Sequence, residues 1–403
     1  MTKKLKKLLW LLSAAFCFGS LTSPAHALDV TVGCPGGGGG TYASITAALG
    51  ALPPNGPNSI TVTGTCNENV SLTNAQSLTF IGAAGAKIVQ PQDSNTFDIA
   101  RSQNITLVNL EIAGVPGSTA GSGGGGVSIS EASDVQITRC DIHNNEGFGV
   151  SANHESVLSV INTNIHNNTP GDGLDVGGNS IADVRGTTIQ NNGCAGFLGG
   201  ACGIGVFVAR NSVVSLRGHL QDGAPRNTLI ENNGDIGILA RLLSTVALDF
   251  GPPNPVTTVQ GHNIVGIYIM EGAHLQVNGP SLIQGNGGGC PPQTPIPCGG
   301  IFASGNATLE LNGFGTISGN QGAGIWVEQG TNLHLGGGVT VSNNTGDGVD
   351  IRKISIGDFT PIPGSGSNTN TITGNGGTNI FCDARSLAVG NLSGFSKVSC
   401  GQQ

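Results

Sequence analysis

Charge and aromatic rings are scarce in this chain. Only 10% of its 403 residues are charged and 4% aromatic, with 2 Trp and 2 Tyr. Long apolar runs are scarcer still. One stretch, Leu8 to Leu21, follows Lys3, Lys4, Lys6 and Lys7 and precedes Ala25-His26-Ala27. This pattern predicts a secretory leader over residues 1–27, cut after Ala27. No later run is long enough for a bilayer, so membrane insertion is not expected. The expected product is a monomer exported to the periplasm or the cell exterior. Losing the leader takes 4 of the 16 basic residues and leaves 12 against 24 acidic ones, a formal charge of −12. A surface so charged excludes nucleic acid and anionic membrane as partners. The mature chain keeps three lysines, Lys87, Lys353 and Lys397.

Cysteine is the exception to this poverty. Nine of the 10 lie beyond the leader, and their spacing predicts local disulfides: Cys34–Cys66, Cys194–Cys202, Cys290–Cys298 and Cys382–Cys400. Cys140 is left over. It stands where following coils carry Thr163, Thr187, Thr228 and Thr257, and is read as a buried free thiol.

Glycine, with 68 residues, marks the organisation. A pattern recurs in register from Gly149, Gly173, Gly205, Gly237, Gly266, Gly300, Gly324 and Gly348. The steps are 24, 32, 32, 29, 34, 24 and 24 residues, a bare unit with insertions. Aligned on the glycine, the next position runs from Val150 to Val349 and the one two beyond from Ala152 to Ile351, both wholly apolar. Such period-2 columns point inward on stacked strands. Ile-x-x-Asn then recurs along the units, as in Ile165/Asn168 and Ile317/Asn320, with Val341/Asn344 equivalent. Asparagines in one corner of successive coils can pair their amides above and below, and tolerate αL geometry. Ahead of the coils, Tyr42 to Leu52 has helical apolar spacing closed by Pro53-Pro54, which predicts an end cap.

The predicted fold is therefore all-β: a parallel β-helix of about 22–24-residue coils with a short N-terminal capping helix. The expected boundaries are a leader at 1–27, a cap at 28–76, the β-helix at 77–380 and a disulfide-closed cap at 381–403. The helix-then-strand opening and the asparagine coils resemble the secreted right-handed β-helix repeat proteins of the pectin-lyase-like superfamily, over residues 29 to 400. That resemblance implies the form of the fold, a single-stranded right-handed parallel β-helix. It implies no single activity, because the superfamily holds lyases, hydrolases, methylesterases, epimerases, adhesins and non-catalytic members. Family motifs are missing. There is no adjacent Asp-Asp, and Gly261-His262-Asn263 and Ile351-Arg352-Lys353 only approach the polygalacturonase pattern. Gly357-Asp358-Phe359-Thr360 is a fragment of the methylesterase segment, and Asn153-His154-Glu155 is short of the epimerase one. No cofactor is expected; a lyase would call for Ca2+.

The residue between the two inward columns must face outward. It reads Ser151, Asp175, Phe207, Leu239, Tyr268, Phe302, Trp326, Asp350. Five large apolar side chains, one per coil, make a stripe of roughly 20 Å. Phe207, Tyr268, Phe302 and Trp326 are candidate ligand-binding rings, suited to sugar faces of a polysaccharide or cell-surface glycan, with Arg210 and Arg241 beside them. Two other readings stand. The insertions Gly193–Gly203 and Gly287–Gly299 can fold over the stripe as a packed lid, or the stripe can meet another protein. The candidate catalytic cluster is Glu328, Asp347, Asp350, Arg352 and Lys353 around Trp326, as an acidic polysaccharide would require. Its alternative is a self-neutralised solvated face. Asp172 and Asp175 echo Asp347 and Asp350, but six coil steps separate them by about 29 Å, so they share no site. His143 and His166 occupy one position in consecutive coils and are candidate metal ligands, against a solvated row that continues through Gln190.

Overall fold

The computed structural model describes residues 27–53, 55–90, 94–114, 124–193, 203–251, 255–290, 296–313, 315–360 and 369–400. The expected leader, Ala27 aside, and the expected Cys194–Cys202 pair lie outside them. The chain is a right-handed parallel β-helix. Three long sheets of 14, 13 and 12 strands run its length, and every pairing within them is parallel. Each strand pairs with its equivalent one coil on. Ile325 faces Val349, and Val349 faces Ile380. The glycine column gives this register correctly. It also extends one coil earlier, through Gly126, since Val127 pairs with Val150.

The inward columns form one continuous core. Val150, Leu174, Val206, Ile238, Ile267, Ile301, Ile325 and Val349 are all 0–1% exposed. The capping helix α1 spans Ile45–Ala51 and lays Ile45 and Ala48 on the first coil. Apolar spacing starts at Tyr42, yet the helix starts at Ile45, because Ser44 caps it by accepting from the Ala47 N–H. Tyr42 instead makes a parallel bridge to Val32. The Glu68 carboxylate accepts from the Ile45 and Thr46 N–H groups at 2.7 and 3.0 Å, where helical donors are otherwise unpaired. The first sheet already begins at Asp29–Gly33, so the cap residues share the ladder of the coils. Disulfides join Cys34 to Cys66, Cys290 to Cys298 and Cys382 to Cys400.

The asparagine ladder is continuous within each of two runs. Asn320 donates to the Asn344 Oδ1 at 2.9 Å and to the Ile283 carbonyl at 3.1 Å, and its own Oδ1 accepts from Asn286. The left-handed conformation, however, belongs to the preceding residue: Asn144, Asn167, Asn191, Asn232 and Asn343 have φ of 51–57°. The ladder asparagine itself sits at ordinary φ, and its predecessor makes the corner. A second ladder, unread in the sequence, runs through Ser102, Ser133, Ser156, Ser180, Ser212 and Ser244, each backbone N–H donating to the next hydroxyl.

The repeated glycine makes room for the asparagine ladder. A Cβ on Gly324 would lie 2.5 Å from Val341 Cγ1, 2.7 Å from the Asn344 amide nitrogen and 2.8 Å from the Gly348 carbonyl. Gly324→Ala is therefore expected to destabilise the protein by about 1–3 kcal/mol, read as a lower urea midpoint at unchanged m.

Candidate functional site

The outward column lies on the 13-stranded sheet. Phe302, Trp326, Asp350 and Phe381 follow one another through Tyr268↔Phe302, Phe302↔Trp326, Trp326↔Asp350 and Asp350↔Phe381 pairings. It does not form an open line of rings. Leu239, Tyr268 and Phe302 are only 7%, 7% and 3% exposed, packed with Ile236, Ile264, Val265 and Ile296 in a satellite core. Ile296, two residues before Cys298, thus covers the middle of the stripe. The expectation that Tyr268 and Phe302 meet a ligand is corrected accordingly.

Spacing explains the rest. Outward rings on consecutive coils are about 4.8 Å apart, which is the distance at which they stack on each other. Tyr268 and Phe302 do so, with centroids 4.7 Å apart. Their faces are consumed within the column, and only edges remain for anything outside. Phe207 is half-buried and has the Arg241 guanidinium 5.9 Å from its centroid. Arg241 also lies 3.9 Å from Glu271. Arg210 is exposed on a left-handed turn beside Asp175. Neither arginine is near Trp326.

Past Phe302, Trp326 is half-buried against the same satellite core, and an open cleft of about 640 Å³ lies beside it. Ile296, Pro297 and Cys298 make one lip, and Trp326, Glu328, Asp347, Asp350, Arg352 and Lys353 line the rest. The structure thus brings together all five residues of the charged cluster with the tryptophan. Asp350 is small, and it leaves a gap between the rings of Trp326 and Phe381 on either side. Arg352 folds back into that gap. Its guanidinium carbon lies 4.2 Å from the Trp326 centroid and 5.1 Å from that of Phe381. Its Nε and Nη2 each donate to an Asp350 oxygen at 2.8 Å, a bidentate pair. Burial holds the Asp350 carboxyl above its ordinary value despite this partner. Lys353 Nζ donates to Glu328 at 2.9 Å, and Trp326 Nε1 donates to the same carboxylate at 3.3 Å. Asp383 accepts from the Lys353 backbone N–H at 2.8 Å. Phe381 is the member that sequence reasoning missed. Its coil carries Asn379 where the others carry glycine, although Ile380-x-Cys382 keeps the apolar pattern.

The aspartate echo resolves into turn geometry. Asp172 accepts from the Ile204 N–H at 2.7 Å, and Asp347 accepts from the Thr378 N–H and hydroxyl at 2.6 Å. Each ties its corner to the next coil. Burial pushes both the Asp172 and Asp175 carboxyls up to about 6.

The histidine pair is stacked, with ring centroids 5.0 Å apart. His143 Nε2 faces Glu111 at 3.0 Å and His166 Nε2 faces Asp141 at 2.9 Å. The nitrogens turn to separate carboxylates rather than to a shared point, so the metal-ligand expectation finds no convergent geometry. Among the described residues, one group of three potential ligands has all its donor atoms within 4.8 Å of one another: Cys34, Cys66 and Glu68. Its sulfurs are already bonded to each other. Cys140 is a buried free thiol as expected, facing the Leu107 and Thr138 carbonyls, and burial pushes it up to about 11. It is no nucleophile at neutral pH. His262, which approaches a polygalacturonase motif in sequence, is 1% exposed and sits inside the asparagine corner column. It belongs to the core.

A family profile described as a right-handed beta helix region matches residues 58–314, and the chain belongs to that family. Comparison with curated protein sequences finds no relative. Among solved structures the chain is similar to the A-module of the Azotobacter vinelandii mannuronan C-5 epimerase AlgE4. The identity is 13% and the TM-score 0.41, over 86% of this chain and 94% of that one. It is similar to a double mutant of the periplasmic alginate epimerase AlgG at 11% identity and a TM-score of 0.49, covering 93% and 85%. The figures for pectate lyase Pel9A are 16%, 0.39, 96% and 84%. Likeness at this level is a likeness of fold. No helix among the described residues is long and apolar enough to cross a membrane.

Proposed function

We propose that the protein is an exported, monomeric β-helix module that binds a glycan in the cleft at Trp326 without turning it over. One observation carries this reading: the cleft sets donors and acceptors side by side, and its carboxylates are engaged. Glu328 is held by Lys353, Asp350 by Arg352, and Asp347 by Thr378. Such neighbouring pairs suit vicinal hydroxyls, each of which both donates and accepts. The indole edge and Pro297 supply an apolar wall, as small-ligand sites require. A carboxylate already committed to a cation or to a neighbouring N–H and hydroxyl is a poor base or acid for turnover. The disulfides and the expected leader agree with export. Rigid coil corners hold Lys353 and Arg352 in place, so binding would require little reorganisation.

Trp326→Ala is expected to lower retention on an immobilised glycan by on the order of tenfold or more, since a truncated tryptophan leaves its wall open. Affinity electrophoresis checks this. Tyr268→Ala, buried in the satellite core, should instead lower thermal stability and leave retention in place. Release of unsaturated uronates or new reducing ends from a polysaccharide panel would sink the non-catalytic reading.

A further inference from the structure

Resting on the glycan-binding reading, we infer that the cleft takes a neutral polysaccharide and rejects the uronic-acid chains that a basic groove would hold. A bound uronate needs a cation whose charge is not already spent. The cleft has two, and both are neutralised within it: Lys353 by Glu328 at 2.9 Å and Arg352 by both oxygens of Asp350 at 2.8 Å. Three carboxylates, Glu328, Asp347 and Asp350, line it against those two cations. Asp383 adds a fourth at its edge, accepting from the Lys353 backbone. The local field is therefore negative.

Breaking either pair to free a cation carries a desolvation penalty. Glu328 and Asp350 have side chains only 10% and 1% exposed, so each would be left as an uncompensated buried charge. The remaining surface gives no help, because the chain without its leader carries twice as many acidic as basic residues. A polyuronate would meet repulsion at long range and no free cation at contact. A neutral chain meets neither obstacle. Its hydroxyls can donate to the half-exposed Asp347 carboxylate and accept from the outward N–H groups of Lys353 and Arg352 without separating the pairs.

Retention of the full chain in gels containing a neutral β-glucan or galactan, against polygalacturonate and alginate, decides the matter. The inference expects retardation by a neutral polymer, little change on raising the salt, and none by either uronan. Little change means less than about twofold between 0.05 and 0.5 M NaCl, since few exposed charges are involved. Glu328→Gln, which keeps an acceptor for the Trp326 N–H but frees Lys353, should acquire salt-sensitive retention on polygalacturonate. Retention of the unaltered protein by a uronan, released by salt, overturns this inference while leaving glycan binding intact. Retention by no polymer, with the fold intact by circular dichroism, overturns both. Failure of Glu328→Gln to gain any uronan retention overturns the charge argument specifically.

Discussion

Arg352→Ala is expected to abolish glycan retention and to cost about 3–5 kcal/mol of stability near neutral pH, the size seen when one partner of a buried ion pair is removed. Asp350 is the reason. Its side chain is 1% exposed, and Arg352 occupies the gap between Trp326 and Phe381 that Asp350 is too small to fill. Removing the guanidinium leaves a buried charge beside a void. The loss must depend on pH, and its sign is fixed. Burial already raises the Asp350 carboxyl, and without its cation it rises further. An acid raised in the folded state takes up its proton more readily there. The destabilisation is therefore small at low pH and grows as pH rises through the interval between the unfolded and folded values. Urea midpoints of Arg352→Ala should fall away from those of the parent between acid and neutral pH. Adding Asp350→Asn removes the charge and should flatten that divergence, leaving only the cost of the void. A pH-independent deficit in Arg352→Ala would show that the cavity, not the charge, dominates.

How the site could be read from the sequence follows from which contacts are periodic. The glycine column fixes which residues share a coil position, so the outward column and the grouping of Glu328, Asp347, Asp350, Arg352 and Lys353 were legible without coordinates. So was the buried state of Cys140, which stands in a threonine column. What periodicity does not encode is the direction in which a ring presents its face. Tyr268 and Phe302 are outward by register, yet stacking at the strand spacing turns their faces to each other. Nor does it encode where an insertion folds. The sequence leaves a lid as one of three readings of the stripe, and only the packing of Ile296 on Tyr268 and Phe302 selects it. Arg352 lies two residues beyond its column, and only the small side chain at Asp350 between two large rings hints that it folds back. Phe381 was hidden by the substitution of asparagine for glycine at the start of its coil.

The other large expected effect concerns His262, which occupies the corner that asparagine holds in neighbouring coils. A Cβ on Gly237 would meet His262 Nε2 at 2.5 Å, as one on Gly205 would meet the Asn233 amide at 2.7 Å, so imidazole and amide fill the same place. Both ring nitrogens face carbonyls, Nδ1 that of Asn233 at 3.0 Å and Nε2 that of Ile230 at 3.1 Å. Burial outweighs these two acceptors and pushes the imidazole down to about 4. A histidine depressed in the folded state stabilises fully above its unfolded value near 6.5 and loses that contribution as pH falls toward about 4. The shift corresponds to about 3 kcal/mol lost by pH 4. Asp172 and Asp175, raised to about 6, act with the opposite sign over part of this window, so the parent's profile alone is not diagnostic. The difference from His262→Asn is. That substitution carries the amide of the other corners, with an Oδ1 placed to accept from the coil above, and it has nothing to titrate. Its urea midpoint should approach the parent's at neutral pH and exceed it increasingly from pH 6 to 4. Parallel profiles for the two proteins would show that His262 is already satisfied in its charged form, with both nitrogens donating to the carbonyls they face.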